Sequence, residues 1–400
     1  MTKSYFRSVS PSEAELIRQP VVMQILPALN VGGVERGTIE VARAIIEAGG
    51  KAVVVSSGGQ LVPQLQRIGA EHITLPVHIK NPLKWGGIRR ELRKVMIAHH
   101  VDIVHVRSRA PAWIGLPVAK SLKLKTVSTI HGKFRATNFI KRLYNQKMLQ
   151  ADHVIAISDY VKSLIQKHYP KTAVDEKLSV IHRGVDVGYF NPSLVKQGRI
   201  INEATRLALP DDRPVVMMPA RPTAWKGHEI LLQAAAKIPQ KNFTLVLLGM
   251  ADAKAKFYDS IELQVKRLGL ESTVRLAEKS TDVPAAMMLA DVIVMPSIEP
   301  EPFGRVAIEA QAMGRPVVAF DHGGATESIA DGETGFLAEP HNVDSLADKI
   351  TQALSLGPRQ RKNFALKAIQ HIEGEFTITK MCDNTIALYE SLLHSSEMNR

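Results

Sequence analysis

The sequence predicts an α/β protein built on two doubly wound, Rossmann-like parallel sheets. Short apolar runs alternate with helical stretches along nearly the whole chain, the pattern of parallel strands joined by crossover helices. A paired-glycine turn, Gly32-Gly33, separates the first run from the first helix, so the chain opens on a βαβ unit. A second series of runs begins at Pro214, and 400 residues with 45% hydrophobic content suffice for two or three full-sized cores. The expected organisation is a loose leader over residues 1–19, a first domain over 20–192, a second over 193–375 and a terminal helix in 376–400.

In the first half, residues 21–26 read as a buried strand, 34–48 as a helix stopped by Gly49-Gly50, and 52–55 as the next strand. Further strands are expected at 72–75, 103–106, 126–130 and 153–157. His131 directly follows one of them, with Gly132 leaving space beside it, at the strand end where ligands of such sheets bind. A lone histidine there is more often a structural hydrogen-bonding residue. Residues 180–192, VIHRGVDVGYFNP, close this half with a strand and a turn, and a hinge is expected near Gly184. Residues 193–213 show no regular pattern.

The second sheet begins at 214–218 and continues with strands at 244–249, 274–277, 292–295 and the apolar run after Pro316. Helices are expected at 228–237, 254–268, 344–356, 359–374 and 377–393. Arg221 and Lys226 stand five apart in the loop after the first of these strands, where two cations could hold a diphosphate without a metal.

Residues 296–320, PSIEPEPFGRVAIEAQAMGRPVVAF, carry the densest chemistry. Glu301 lies in a loop, Gly304 opens a short helix, and Glu309 sits within that helix. The free N–H groups from Gly304 through Arg305 to Val306 offer an anion site at the positive end of the helix. Carboxylates accept strong bonds from vicinal sugar hydroxyls, so the stretch suits a nucleotide sugar. Taken alone, Glu301 need only favour the helix N-terminus and Glu309 need only pair with Arg305, for about 0.3–1 kcal/mol or less each.

Charge is distributed unevenly. Residues 1–190 hold 28 Lys+Arg against 13 Asp+Glu, and residues 191–400 hold 23 against 26. The basic half suggests an anionic partner, either a membrane surface or nucleic acid. With 5% aromatic residues and no recognisable nucleic-acid module, nucleic acid is not expected. Two tracts stand out. In residues 80–94, KNPLKWGGIRRELRK, the apolar residues at helical spacing face the core, while Trp85 and Lys84, Arg89, Arg90 and Lys94 are expected against anionic headgroups. Residues 133–147 carry Lys133, Arg135, Lys141, Arg142 and Lys147 with no acidic residue, and with Arg107 and Arg109 they are the candidate surface for an anionic or lipid-linked acceptor.

A single cysteine, Cys382, excludes an internal disulfide and a thiolate cluster, and fits a reducing compartment. The first 19 residues lack the continuous apolar core of a signal peptide, and no apolar run reaches the roughly 20 residues that cross a bilayer. The expected location is therefore cytoplasmic, with peripheral contact at the inner face of the cytoplasmic membrane. Neither H-E-x-x-H nor a convincing Asp-x-Asp pattern occurs, so no metal or other cofactor is expected.

The stretch EPFGRVAIEAQAMGRPVVA, followed by Gly323-Gly324 and Glu327 in DHGGATESIADGETGFL, resembles the signature of the retaining glycosyltransferases of family 4 (group 1), and the resemblance covers most of the chain from about Val21. It implies the GT-B fold, two Rossmann-like domains facing a cleft, with the terminal helix crossing back to the first. It implies a metal-independent hexosyltransferase that uses a UDP- or GDP-linked sugar. The acceptor implied is a glycolipid or saccharide of the cell envelope, as in lipopolysaccharide biosynthesis. By the same resemblance, Arg221 and Lys226 form the diphosphate clamp, aided by Gly32, Gly33 and the backbone at Phe303, Gly304, Arg305 and Val306. Glu301 orients the sugar hydroxyls, Glu309 holds the ribose diol, and His131 lies near the donor sugar. The residues also admit a nucleotide-sugar epimerase, or a non-enzymatic nucleotide-sugar-binding scaffold at a membrane; only an epimerase would isomerise donor without an acceptor.

Overall fold

The computed structural model describes residues 18–134, 138–170, 174–239 and 242–397. It divides into two compact units, the first comprising the chain up to His182 together with the segment from Thr379 on, and the second Arg183–Ile378.

The first unit runs β1 (Val21–Ile25), α1 (Gly33–Glu47), β2 (Lys51–Ser56), α2 (Val62–Arg67), β3 (Glu71–Thr74), α3 (Trp85–Ala98), β4 (Ile103–Val106), α4 (Arg109–Ser121), β5 (Lys125–Ile130), α5 (Phe139–Gln146), β6 (His153–Ala156), α6 (Asp159–His168) and β7 (Leu178–Val180). The seven strands are all parallel, in the order β3-β2-β1-β4-β5-β6-β7. Every residue of β1 and β4 is buried, as expected of central strands covered by helices on both faces. The order reverses between β1 and β4, the switch point that opens a crevice in doubly wound sheets.

The second unit runs α7 (Gln197–Arg206), β8 (Val215–Pro219), α8 (His228–Lys237), β9 (Thr244–Leu248), α9 (Ala255–Arg267), β10 (Val274–Ala277), α10 (Val283–Leu289), β11 (Val292–Met295), α11 (Arg305–Ala312), β12 (Val317–Phe320), β13 (Gly335–Ala338), α12 (Val343–Leu354) and α13 (Pro358–Glu375). Its six parallel strands follow β10-β9-β8-β11-β12-β13, with the switch point between β8 and β11. Val216, Leu245, Leu247, Val292 and Val318 form the sheet side of its core, under Leu231 and Leu232 of α8 and Leu346 and Ile350 of α12.

The last helix, α14 (Ile378–Glu397), contributes Tyr389 to the interior of the first unit. The buried Tyr389 hydroxyl lies 2.6 Å from Nδ1 of His105, whose Nε2 lies 2.6 Å from Thr129 Oγ1, so α14, β4 and β5 share one polar network. Among the described residues, no helix is long and apolar enough to cross a membrane.

Two features depart from expectation, and the junction expected near Gly184 lies beside the division between the units. The patternless stretch before the second sheet contains α7, a helix held by polar contacts: Arg199 clasps Asp282 at 2.7 and 2.6 Å, and Glu203 accepts from Ser280 at 3.0 Å. Residues just past His182 are tied to the end of α13, with Val185 N–H donating to Phe376 O at 2.8 Å and Ile378 N–H to Val185 O at 3.1 Å. Trp85 does not face outward: it is 8% exposed, stacks on Trp113 at 5.3 Å and donates from Nε1 to Ile79 O. An indole beside six cations serves a headgroup surface or a core equally well, and its stacking partner lies far off in sequence.

Candidate active site

Two loops at the carboxyl ends of adjacent strands build the principal site of the second unit, on either side of its switch point. After β8 the chain passes exposed Arg221 and makes a 3-10 turn over Ala224–Lys226. Gly227 ends that turn at φ +86°, and a Cβ there would fall 1.9 Å from Pro296 O, so both conformation and contact demand glycine. The second loop follows β11. Its Ile298 N–H donates to Trp225 O at 2.9 Å, so backbone contacts hold the two loops together.

Within this frame, Lys226 Nζ lies 2.6 Å from Glu301 Oε1 and 4.4 Å from the centre of the Trp225 ring. Ser297 Oγ donates to the same Oε1 at 2.5 Å. His322 Nε2 donates to Ser297 O at 2.7 Å, and Gly324 N–H to Glu301 O at 2.8 Å. Among the described residues both side-chain bonds to Glu301 fall on Oε1, which leaves Oε2 available to a hydroxyl donor. Chemically, the cluster presents one fixed carboxylate and one ammonium whose charge a ligand phosphate could share.

The helix start expected at Gly304 is there. Gly304 caps α11 at φ +86°, and a Cβ would lie 3.1 Å from both Ala325 Cβ and Met295 Cε. Arg305 and Val306 open the helix, half-buried. Arg305 Nη2 donates to Glu309 Oε1 at 2.8 Å, so these two form the helix-surface pair that spacing alone would favour. The Phe303 ring is 3% exposed and packs on Phe376 with centroids 6.0 Å apart, which makes that side chain a core anchor for the loop.

His228, the first residue of α8, is buried behind Lys226. Burial, with the Lys226 charge adding to it, lowers its pKa to about 4.

In the first unit, Gly32 caps α1 and Gly33 is its first residue; Glu35 folds back so that Oε2 would be 2.3 Å from a Cβ on Gly32. His131 stands half-buried at the end of β5. Beneath it, burial holds His105 well below its usual pKa, with the Arg107 and His131 charges acting in the same direction.

The expected acceptor surface is only partly a surface. Arg107 is 4% exposed and donates from Nε to Gln24 Oε1 at 2.7 Å, bridging the β1–β4 switch point. Arg109, half-buried, donates to Asn145 Oδ1 at 2.5 Å and to Lys133 O at 3.1 Å, binding α4 to the segment around α5. Arg89 donates to Trp113 O at 2.7 Å. Each of these arginines is engaged in the fold, donating to an acceptor on another segment of the first unit. For Arg107 and Arg109 that acceptor includes a buried side chain, Gln24 or Asn145. Lys84 and Arg90 are exposed, Lys94 is exposed and pairs with Glu91 at 2.9 Å, and Lys133 is half-buried. Arg135 lies outside the described residues.

Sequence reasoning named Lys226 and Glu301 but missed Ser297, Trp225 and His322, which hold them. Ser297 was legible as a hydroxyl four residues before Glu301; His322 reaches the loop only through the neighbouring strand β12.

Comparison with known proteins extends this picture. Residues 200–371 match the family model Glycosyl transferases group 1, and residues 31–189 match Glycosyltransferase Family 4. A D-inositol 3-phosphate glycosyltransferase of Mycobacterium leprae is 34% identical over 245 residues, 60% of this chain and 54% of that relative, so the match spans about half the relative's length. A crystal structure of a glycosyltransferase from Rickettsia africae superposes with TM-score 0.88 at 33% identity, covering 94% of this chain and 99% of that one. Anabaena HepE in complex with UDP-glucose superposes with TM-score 0.78 at 23% identity, covering 93% and 99%.

Proposed function

Since this chain belongs to the glycosyltransferases of group 1, family 4, we propose that it transfers a hexose from a nucleotide-sugar donor to a cell-envelope glycolipid or saccharide, with retention at the anomeric carbon. The Lys226–Glu301 pair carries the reading, because it sets a cation and a hydroxyl acceptor side by side at a switch point, beside the N-terminus of α11. In the reaction, Arg221 and Lys226 neutralise the charge that grows on the departing diphosphate, and the α11 N–H groups add to them, so stabilisation is greatest in the transition state. Glu301 Oε2 orients the sugar hydroxyls, and Glu309 takes the ribose diol on exchanging its bond to Arg305. The acceptor attacks on the face the diphosphate leaves, and a diphosphate oxygen takes the acceptor's proton. No protein nucleophile and no metal is assigned. The UDP-glucose held by the Anabaena relative makes a UDP-hexose the first donor to try.

The test incubates radiolabelled UDP- and GDP-hexoses with the protein and a cell-envelope extract. Label entering the extract with stoichiometric release of nucleoside diphosphate supports the reading, and anomeric analysis of the product reads retention. Isomerised donor without extract would instead indicate an epimerase, and donor binding without turnover a scaffold.

A further inference from the structure

Helix α5 turns its apolar side away from the protein. At about 100° per residue, Phe139, Ile140 and Leu143 fall in one arc, and they are 77%, 78% and 50% exposed. Asn145, on the opposite side of the helix, is the buried residue, held by Arg109 Nε at 2.5 Å. Single exposed apolar residues are ordinary, whereas three sharing one helix arc form a patch that calls for a partner.

The surroundings of the arc are cationic. Arg142 falls about 60° from Phe139, at the edge of the arc, and Lys141 lies on the far side of the helix; both are exposed. An aromatic row then joins α5 to the other basic tract: Trp85 of α3 stacks on Trp113 of α4 at 5.3 Å, Trp113 on Tyr144 of α5 at 6.2 Å, and Trp113 Nε1 donates to Tyr144 O at 3.0 Å. Lys147 and Arg89 lie over this row, each 5.5 Å from a tryptophan ring centre. The row thus gathers cations from both tracts around one aromatic core.

We propose that α5 is an interfacial anchor, Phe139, Ile140 and Leu143 entering the headgroup–acyl boundary of an anionic bilayer while Lys141 and Arg142 meet the lipid phosphates. Charge complementarity selects this occupant, since residues 133–147 contain no acidic side chain. Size argues the same way: three side chains fall far short of the roughly 800 Å² per partner of a stable protein interface. They suffice for weak, reversible partition when cations add their attraction to anionic lipid. The proposal does not rest on the transfer reaction.

Full-length protein is sedimented, without donor or acceptor, with vesicles of phosphatidylcholine and phosphatidylglycerol in equal parts, and with phosphatidylcholine alone. The wild type pellets with the anionic vesicles and is released by about 1 M salt. The triple variant Phe139→Ser, Ile140→Ser, Leu143→Ser lowers the partition coefficient at least about tenfold, and Lys141→Ser with Arg142→Ser removes the preference for anionic lipid. As a fold-independent probe, Phe139→Trp gains an emission component that shifts to the blue on anionic vesicles. Equal pelleting with both lipids, an unaffected triple variant, or an unshifted emission from the Phe139→Trp variant overturns the proposal. A concentration-dependent dimer that the triple variant loses, without vesicle binding, overturns it in favour of a second copy of the chain.

Discussion

Lys226 and Glu301 stand 75 residues apart in sequence and close a 2.6 Å ion pair, each side chain 11% exposed, between loops that leave adjacent strands β8 and β11. Arg221, the other proposed cation of the same loop, is exposed. Lys226 and Arg221 therefore differ in what they do for the fold.

Lys226→Ala leaves the Glu301 carboxylate without its counter-charge in a largely buried setting and should cost about 3 kcal/mol of stability. Arg221→Ala should stay within about 0.5 kcal/mol of the parent. Urea midpoints compare the two variants directly. Indistinguishable midpoints would show that the pair contributes nothing to the fold.

Acid should destabilise the second unit through His228. Its folded pKa of about 4 lies below the ordinary 6.5, so its contribution is fully present above pH 6.5 and is lost as pH falls from there towards 4. That linkage amounts to about 3 kcal/mol at most. Stability measured across this range should fall less steeply in His228→Gln, whose neutral side chain takes up no proton. A parent-like slope in that variant would remove His228 from the account.

Tyr389→Phe deletes the hydroxyl bonded to buried His105 and should cost about 1–3 kcal/mol, because His105 Nδ1 is left without its partner. The loss should be seen in thermal unfolding, with donor binding by the second unit unchanged. An unaltered melting temperature would mean that water takes the place of the hydroxyl.

Chelation should leave turnover largely intact, as in the proposed reaction Arg221 and Lys226 take the part that a metal ion plays elsewhere. Loss of activity in chelator, restored by magnesium or manganese alone, would require a different electrostatic catalyst.

The strands were legible because a parallel sheet buried on both faces writes itself as short apolar runs: the expected 103–106, 274–277 and 292–295 coincide with β4, β10 and β11. Helix α7 was not, since Arg199–Asp282 and Glu203–Ser280 hold it and polar pairing leaves no apolar period. Of the candidate cluster, two members could be named from sequence but not their contact. Lys226 and Glu301 could each be named from a local motif, whereas their contact depends on β8 and β11 being neighbours, which spacing along the chain does not encode. Trp85 failed for the same reason, as did Arg107, whose acceptor Gln24 lies one strand across.

The most direct test of the central claim is steady-state release of nucleoside diphosphate from a UDP-hexose in the presence of envelope acceptor, comparing the parent with folded Lys226→Ala protein. The proposed role of Lys226 at the leaving diphosphate predicts a fall in kcat of about 10²-fold or more. A Lys226→Ala enzyme that is folded and turns over at nearly the parent rate would contradict the assignment of this cluster as the site of transfer.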